Sequence, residues 1–163
     1  MTPLKFLQKY APAANVIARN WNIPPIVTLA QAALESGWGE KAPGYNFFGY
    51  TATNGYKGQK QLLKTVEYHT NPNVWYPVRI SVTKIADNKY KYLVRRYFKC
   101  YSNAVDSFTD YAMLISNKYN DAFDYVDDPE RFFTVIFNNG YATSPAYHDL
   151  VLSVMKTMKK YLK

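Results

Sequence analysis

The sequence predicts an α+β fold, a mainly helical lobe with an antiparallel β-hairpin lobe inserted in it. Three observations carry this. Helix start and stop signals bracket apolar runs of helical period in both outer thirds of the chain; residues 61–101 are instead rich in β-branched and aromatic residues; and a stretch of Gly, Thr and Asn separates the two regimes. With 163 residues, 48% of them hydrophobic, the chain can bury one good core and is too short for two ordinary domains. One domain over 1–163 is therefore expected, with the β-lobe at about 60–101 and a ligand cleft between the lobes.

Thr2 before Pro3 starts the first helix, with Leu4, Leu7 and Tyr10 at helical spacing, and Pro12 kinks or restarts it ahead of a second run from Ala13 to Asn20. Ile23-Pro24-Pro25 breaks the chain. Ile26 to Ser36 is the next helix, ended by Gly37 and Gly39. After a loop from Tyr50 to Lys60 come three strands, Gln61 to His69, Val74 to Ile85 and Tyr90 to Tyr101, with Asp87-Asn88 as the turn between the last two. In the second, Val74, Tyr76, Val78, Ile80 and Val82 alternate with mostly polar neighbours, which predicts one covered face. Ser102 or Asn103 caps a helix with an apolar stripe of Val105, Phe108, Ala112 and Ile115. Asp128-Pro129 and Ser144-Pro145 start the last two.

Composition excludes several classes of chemistry. Cys100 is the one cysteine, so an intrachain disulfide and a thiolate cluster are ruled out, and His69 and His148 lack the spacing of a zinc site. No metal or cofactor is implied. No run of about eighteen apolar residues is present, so stable membrane insertion is not expected. Lys5, Gln8, Lys9 and Arg19 interrupt any leader-like apolar segment near the start. The net charge of +8 calls for an anionic partner. The cations read as dispersed and no nucleic-acid motif accompanies them, which argues against a nucleic-acid binder. Sixteen tyrosines, many between Tyr45 and Tyr101, offer flat faces with polar tips for stacking, and equally serve as strand formers.

The residues best placed for chemistry lie on the helix before Gly37. At about 100° per residue, Ile26, Ala30, Ala33 and Gly37 share one face with Leu29 and Leu34 beside it. Thr28, Gln31 and Glu35 fall together roughly opposite, a thin polar stripe on an otherwise apolar helix, which needs partners or a cleft. Glu35 near the last turn faces the unfavourable end of the helix dipole and is expected to be poorly solvated, a setting that suits a proton donor.

Ala30-Gln31-Ala32-Ala33-Leu34-Glu35-Ser36-Gly37-Trp38-Gly39 followed by Asn46-Phe47-Phe48-Gly49 resembles the N-acetylglucosaminidases of glycoside hydrolase family 73, flagellar and autolysin-type peptidoglycan hydrolases on a lysozyme-like fold. Thr65-Val66-Glu67-Tyr68, Phe98-Lys99-Cys100-Tyr101-Ser102 leading into Ser107 and Asp110-Tyr111, and Gly140-Tyr141-Ala142-Thr143-Ser144-Pro145-Ala146-Tyr147 continue it in the family's order. The resemblance implies Glu35 as general acid, Glu67 as second carboxylate and Tyr141 as the active-site tyrosine. Gln31, Trp38, Asn46, Phe47 and Tyr68 are the implied substrate-binding residues. Lys99 stands where the family usually has arginine and Ser144 where it has aspartate, and Thr70 to Arg96 form a longer hairpin than is typical.

The activity so implied is an endo-β-N-acetylglucosaminidase acting on peptidoglycan at the bacterial cell wall, extracellular, periplasmic or phage-delivered, and working as a monomer. Cleavage through an oxocarbenium-like state needs a proton donor on the leaving oxygen and help on the other side of the ring. Glu67 as a base would give inversion at a carboxyl separation of roughly 6.5 to 9.5 Å, whereas a 2-acetamido group could supply its own nucleophile. The sequence leaves both routes open. Alternatives are a muramidase or lytic transglycosylase on the same fold and a non-catalytic wall-binding module, against which the presence of both carboxylates speaks.

Overall fold

The computed structural model describes residues 1–162, which fall into two compact units, Met1–Phe48 with Tyr101–Lys163, and Gly49–Cys100. The first unit is all helical: α1 (Pro3–Trp21), α2 (Pro25–Ser36), α3 (Ala104–Lys118), α4 (Pro129–Asn138) and α5 (Pro145–Lys159), with short 3-10 turns at Pro43–Tyr45 and Asn120–Tyr125. No described helix is long and apolar enough to cross a membrane. Local chemistry sets the helix ends. The Thr2 side chain accepts from the Lys5 amide, Asn103 accepts from Asp106 and Asp128 from Arg131, each satisfying an otherwise unpaired amide of a first turn. Gly37 closes α2 in the left-handed conformation, φ 56°.

Pro12 neither kinks nor restarts the first helix, which runs unbroken from Pro3 to Trp21. The expected pair of helices is one because its buried residues, Phe6, Leu7, Tyr10, Ala13, Ala14 and Ile17, form a continuous stripe. Pro12 and Gln8 both face solvent, so water can serve the Gln8 carbonyl whose partner amide proline removes. The buried stripe also excludes Leu4, which stands 43% exposed. α2 is buried from Ile26 to Ala33 and packs on α1, α4 and α5.

The second unit is a three-stranded antiparallel sheet of β1 (Lys60–His69), β2 (Val78–Ala86) and β3 (Lys89–Lys99), in the order β1-β3-β2. Asn88, φ 52°, makes the tight turn between β2 and β3. Val74 to Pro77 are not part of β2, contrary to the alternation in the sequence. Tyr92, fully buried on β3, holds this segment outside the sheet: its hydroxyl donates to the Asn71 carbonyl and accepts from the Val74 amide. Nor does β2 have the expected covered face, since Val78, Ile80 and Ile85 are 40–47% exposed. The buried positions lie on the central strand, Tyr92 and Val94. Between β2 and β3 the register shifts twice, at Arg79/Ser81 and at Lys84/Ala86, so each break inserts an extra residue into β2.

The positive charge is not dispersed. Gly49–Cys100 contains ten of the 20 lysines and arginines and only two acids, Glu67 and Asp87. The helical unit has ten of each sign, so the whole net charge of +8 belongs to the β unit.

Candidate active site

Glu35 occupies the last turn of α2, and the chain after it is fastened tightly. Gly37, Trp38 and Gly39 take φ of 56°, 58° and 80°, three left-handed residues in a row. The Trp38 amide donates to the Ala33 carbonyl at 2.7 Å, and the Ser36 hydroxyl accepts from the Gly39 amide at 2.8 Å. A side chain at Gly39 would meet the Tyr10 ring at 3.2 Å. Trp38 packs edge-on against Phe6, centroids 5.7 Å apart. The Ser-Gly-Trp-Gly sequence is thus a rigid turn that fixes where Glu35 points.

The polar stripe of α2 runs from the interior to the surface. Thr28 and Gln31 are fully buried, while Glu35 is exposed, so the expected poor solvation of its carboxyl is not what the fold provides. What it provides is a relay of hydroxyls behind the carboxyl. The Tyr111 hydroxyl donates to Gln31 Oε1, Gln31 Nε2 donates to the Tyr147 hydroxyl at 3.3 Å, and that hydroxyl lies within reach of the Glu35 charge. Tyr111 is itself buried and stacked on Phe48 at 4.5 Å. Tyr141 is bonded to Gln31 and Tyr147 and lies between the rings of Tyr119, 5.9 Å, and Tyr147, 6.1 Å.

Burial, with the Glu35 charge next, pushes the Tyr141 phenol well above its ordinary range; burial and then Tyr141 do the same to Tyr147. Both phenols are neutral at any working pH. In the unfolded chain they ionise at about pH 10. Stability is therefore retained below that pH and lost as pH rises from it toward the folded values. Denaturant titrations at pH 8 and pH 11 should show this loss, and the double variant Tyr141→Phe/Tyr147→Phe should lose distinctly less between the two pH values.

Several implied binding residues have other duties. Gln31, with no exposed surface, is a positioning residue and cannot touch a substrate. Phe47, 1% exposed, is wedged between Tyr10 at 4.8 Å and Phe108 at 5.2 Å, which leaves no ring face for a sugar. Asn46, 5% exposed, caps the Pro43–Tyr45 turn. Tyr111 and Tyr147 went unassigned in the sequence because their contacts to Gln31 span 80 and 116 residues.

In the β unit, Glu67 lies opposite Tyr92 on the covered face of β1, where Arg96 Nη1 reaches its Oε1 at 3.1 Å. Arg96 also lies against the rings of Tyr76 and Phe98. Burial and then the Glu67 charge raise the Tyr76 phenol, whose hydroxyl meets His69 Nε2 at 2.7 Å. Tyr68 is one residue on, so the pleat turns it to the opposite face, 56% exposed. It cannot share a groove with Glu67. Among the described residues no group of three His, Cys, Asp or Glu side chains is placed to hold a metal ion.

Residues 11–160 match the glucosaminidase family model, described as mannosyl-glycoprotein endo-beta-N-acetylglucosaminidase. The chain belongs to the glucosaminidase family, a family of glycoside hydrolases. It is 32% identical over 166 residues to the peptidoglycan hydrolase FlgJ of Vibrio parahaemolyticus and 34% over 157 residues to that of Vibrio cholerae, covering 97% and 91% of this chain. It spans 48% and 42% of those relatives, about half their length. The solved glycoside hydrolase domain of Salmonella typhimurium FlgJ superposes with a TM-score of 0.74 at 27% identity, covering 98% of this glucosaminidase chain and 90% of that one. The catalytic domain of the Listeria monocytogenes autolysin Auto shares the fold, TM-score 0.74 at 24% identity, over 99% of this chain and 88% of that one. The lysozyme-like α+β expectation is borne out by these neighbours.

Proposed function

We propose that this chain hydrolyses the glycan strand of peptidoglycan at N-acetylglucosamine, with Glu35 as the general acid. The observation that carries the reading is the Glu35 carboxyl, presented to solvent at the end of a buried helix with the neutral Tyr141 and Tyr147 phenols close enough to feel its charge. A rigid mount and fixed donors are what proton transfer to a glycosidic oxygen requires. The names of the FlgJ relatives and of the Bacillus subtilis exo-glucosaminidase LytG, 26% identical over 161 residues, support the substrate class. Tyr141 joins Glu35 as a neutral active-site hydroxyl, and Trp38, part-exposed beside the Glu35 turn, remains the sugar-contact candidate of the helical unit. The deciding experiment is digestion of purified peptidoglycan, borohydride reduction and mass spectrometry of the fragments. Reduced N-acetylglucosamine ends are expected; reduced N-acetylmuramic acid would make the protein a muramidase, and 1,6-anhydro ends a transglycosylase.

Glu67 serves in this reading as the second carboxylate, a role that rests on the Thr65–Tyr68 block. Its Arg96 partner holds the carboxylate in one orientation. Glu67→Gln is expected to lower kcat by about a hundredfold if Glu67 activates water, and by less if the 2-acetamido group is the nucleophile. Initial rates on purified peptidoglycan measure this. Wild-type rates in the folded variant would remove Glu67 from the mechanism.

A further inference from the structure

Trp75 is 77% exposed, far more than any other large hydrophobic among the described residues, and it lines two hollows. A groove of about 640 Å³ is lined by Trp75, Tyr76, Tyr97, Lys60, Arg96 and Asn54, and a hollow of about 390 Å³ by Trp75, Asn73, Tyr76 and Arg79. Both lie wholly within the β unit. The segment that carries the indole is fastened on both sides of it. Tyr92 pins the Asn71 carbonyl and the Val74 amide, the Asn73 amide donates to Asn71 Oδ1 at 2.8 Å, and Tyr76 is tied to His69. An indole held in water on a fastened segment contributes nothing to a core, and its pre-organisation lowers the entropic cost of binding.

The walls choose the charge of the ligand. Lys60, Arg79 and Arg96 line the two hollows and no carboxylate does. Arg96 is matched by Glu67, but Lys60 and Arg79 have no carboxylate partner among the described residues. Lys60 instead lies 4.7 Å over the Tyr97 ring. A flat apolar platform between unmatched cations fits a sugar ring that carries carboxylates close by. It does not fit a neutral chitin-like strand equally well, because such a strand would use the indole and leave the cations unmatched.

We propose that the Trp75 hollows are a subsite for peptide-bearing glycan: the indole stacks on a sugar while Lys60 and Arg79 meet carboxylates of the attached peptide stem. Trp75 and Arg79 lie on the stretch by which this chain's hairpin exceeds the family's usual length, Lys60 lies at the start of β1, and the proposal rests on the peptidoglycan reading above. It makes the β unit select strands that still carry their stems.

The test compares kcat/KM on intact peptidoglycan fragments and on glycan strands stripped of peptide by an amidase. Lys60→Glu/Arg79→Glu should lower the preference for peptide-bearing over stripped strands by about tenfold, through KM. Trp75→Ala should raise KM for both. The preference is overturned if the charge reversals leave the ratio unchanged or lower both substrates equally. Trp75 sits at the surface, so its replacement spares the fold, and Lys60→Ala/Arg79→Ala replaces the reversals should they unfold. If the unmodified protein cleaves neither substrate, the peptidoglycan reading fails separately. Tryptophan fluorescence with added peptide-bearing fragments then decides the subsite: a shift lost in Trp75→Phe supports it, and no shift overturns it.

Discussion

Glu35→Gln is expected to lower the rate of peptidoglycan hydrolysis by about a hundred- to ten-thousandfold, the usual worth of a positioned general acid, while the thermal midpoint stays near that of the unmodified protein. The reasons for the second half are structural. Glu35 is exposed and buries no charge, and the neighbouring turn is held by Ser36, Ala33 and the Phe6 ring rather than by the carboxyl. Glutamine keeps the shape, and the Tyr111–Gln31–Tyr147 bonds behind it do not involve the carboxyl, so they persist. It cannot release a proton to a leaving oxygen. Turbidity loss of purified walls and a melting curve on the same sample measure the two halves. A folded variant with near-normal lysis would exclude Glu35 as the acid, whatever its position.

The second large effect belongs to a residue that touches no substrate. Gln31→Leu is expected to cost about 2–4 kcal/mol of stability, because it leaves the Tyr111 hydroxyl without its acceptor and Tyr147 without its donor. In a chain of 163 residues this is a fall of about 5–12 °C in Tm. Activity should fall as well, at temperatures where the variant is folded, since Tyr147 would no longer be oriented toward Glu35. A merely substrate-binding glutamine would raise KM and leave Tm alone. That outcome would overturn the positioning role given to it by its burial.

How much of this could be read from residues alone depends on the range of the interactions involved. The starts at Thr2 and Asp128 and the stop at Gly37 were legible because capping and left-handed backbone are local matters, and the start at Ser144-Pro145 was legible from the proline alone, since the Ser144 side chain makes no capping bond. The stripe of Thr28, Gln31 and Glu35 was legible for the same reason. Pro12 misled because local propensity disfavours it and only the packing of Phe6, Tyr10 and Ile17 overrules that. The start of β2 was hidden because a tyrosine on another strand, Tyr92, draws Val74 out of the sheet. Gln31, Phe47 and Asn46 sit in blocks that resemble a family's site, yet their burial makes them supports for it. The concentration of charge was present in the sequence and became visible only with the boundary at Gly49 and Cys100.

The two register breaks in β2 bear on how this protein behaves in a crowd of its own copies. β2 is a sheet edge whose Val78, Ile80 and Ile85 face solvent, and a straight edge of that kind would invite a strand from another molecule to add to it. The extra residues at each break twist the edge and interrupt the ladder of free amides and carbonyls, and Arg79 and Lys84 put like charges beside the breaks. The irregular strand is thereby a guard against self-association. It lets a hairpin with exposed apolar side chains on its edge avoid becoming a template for fibres.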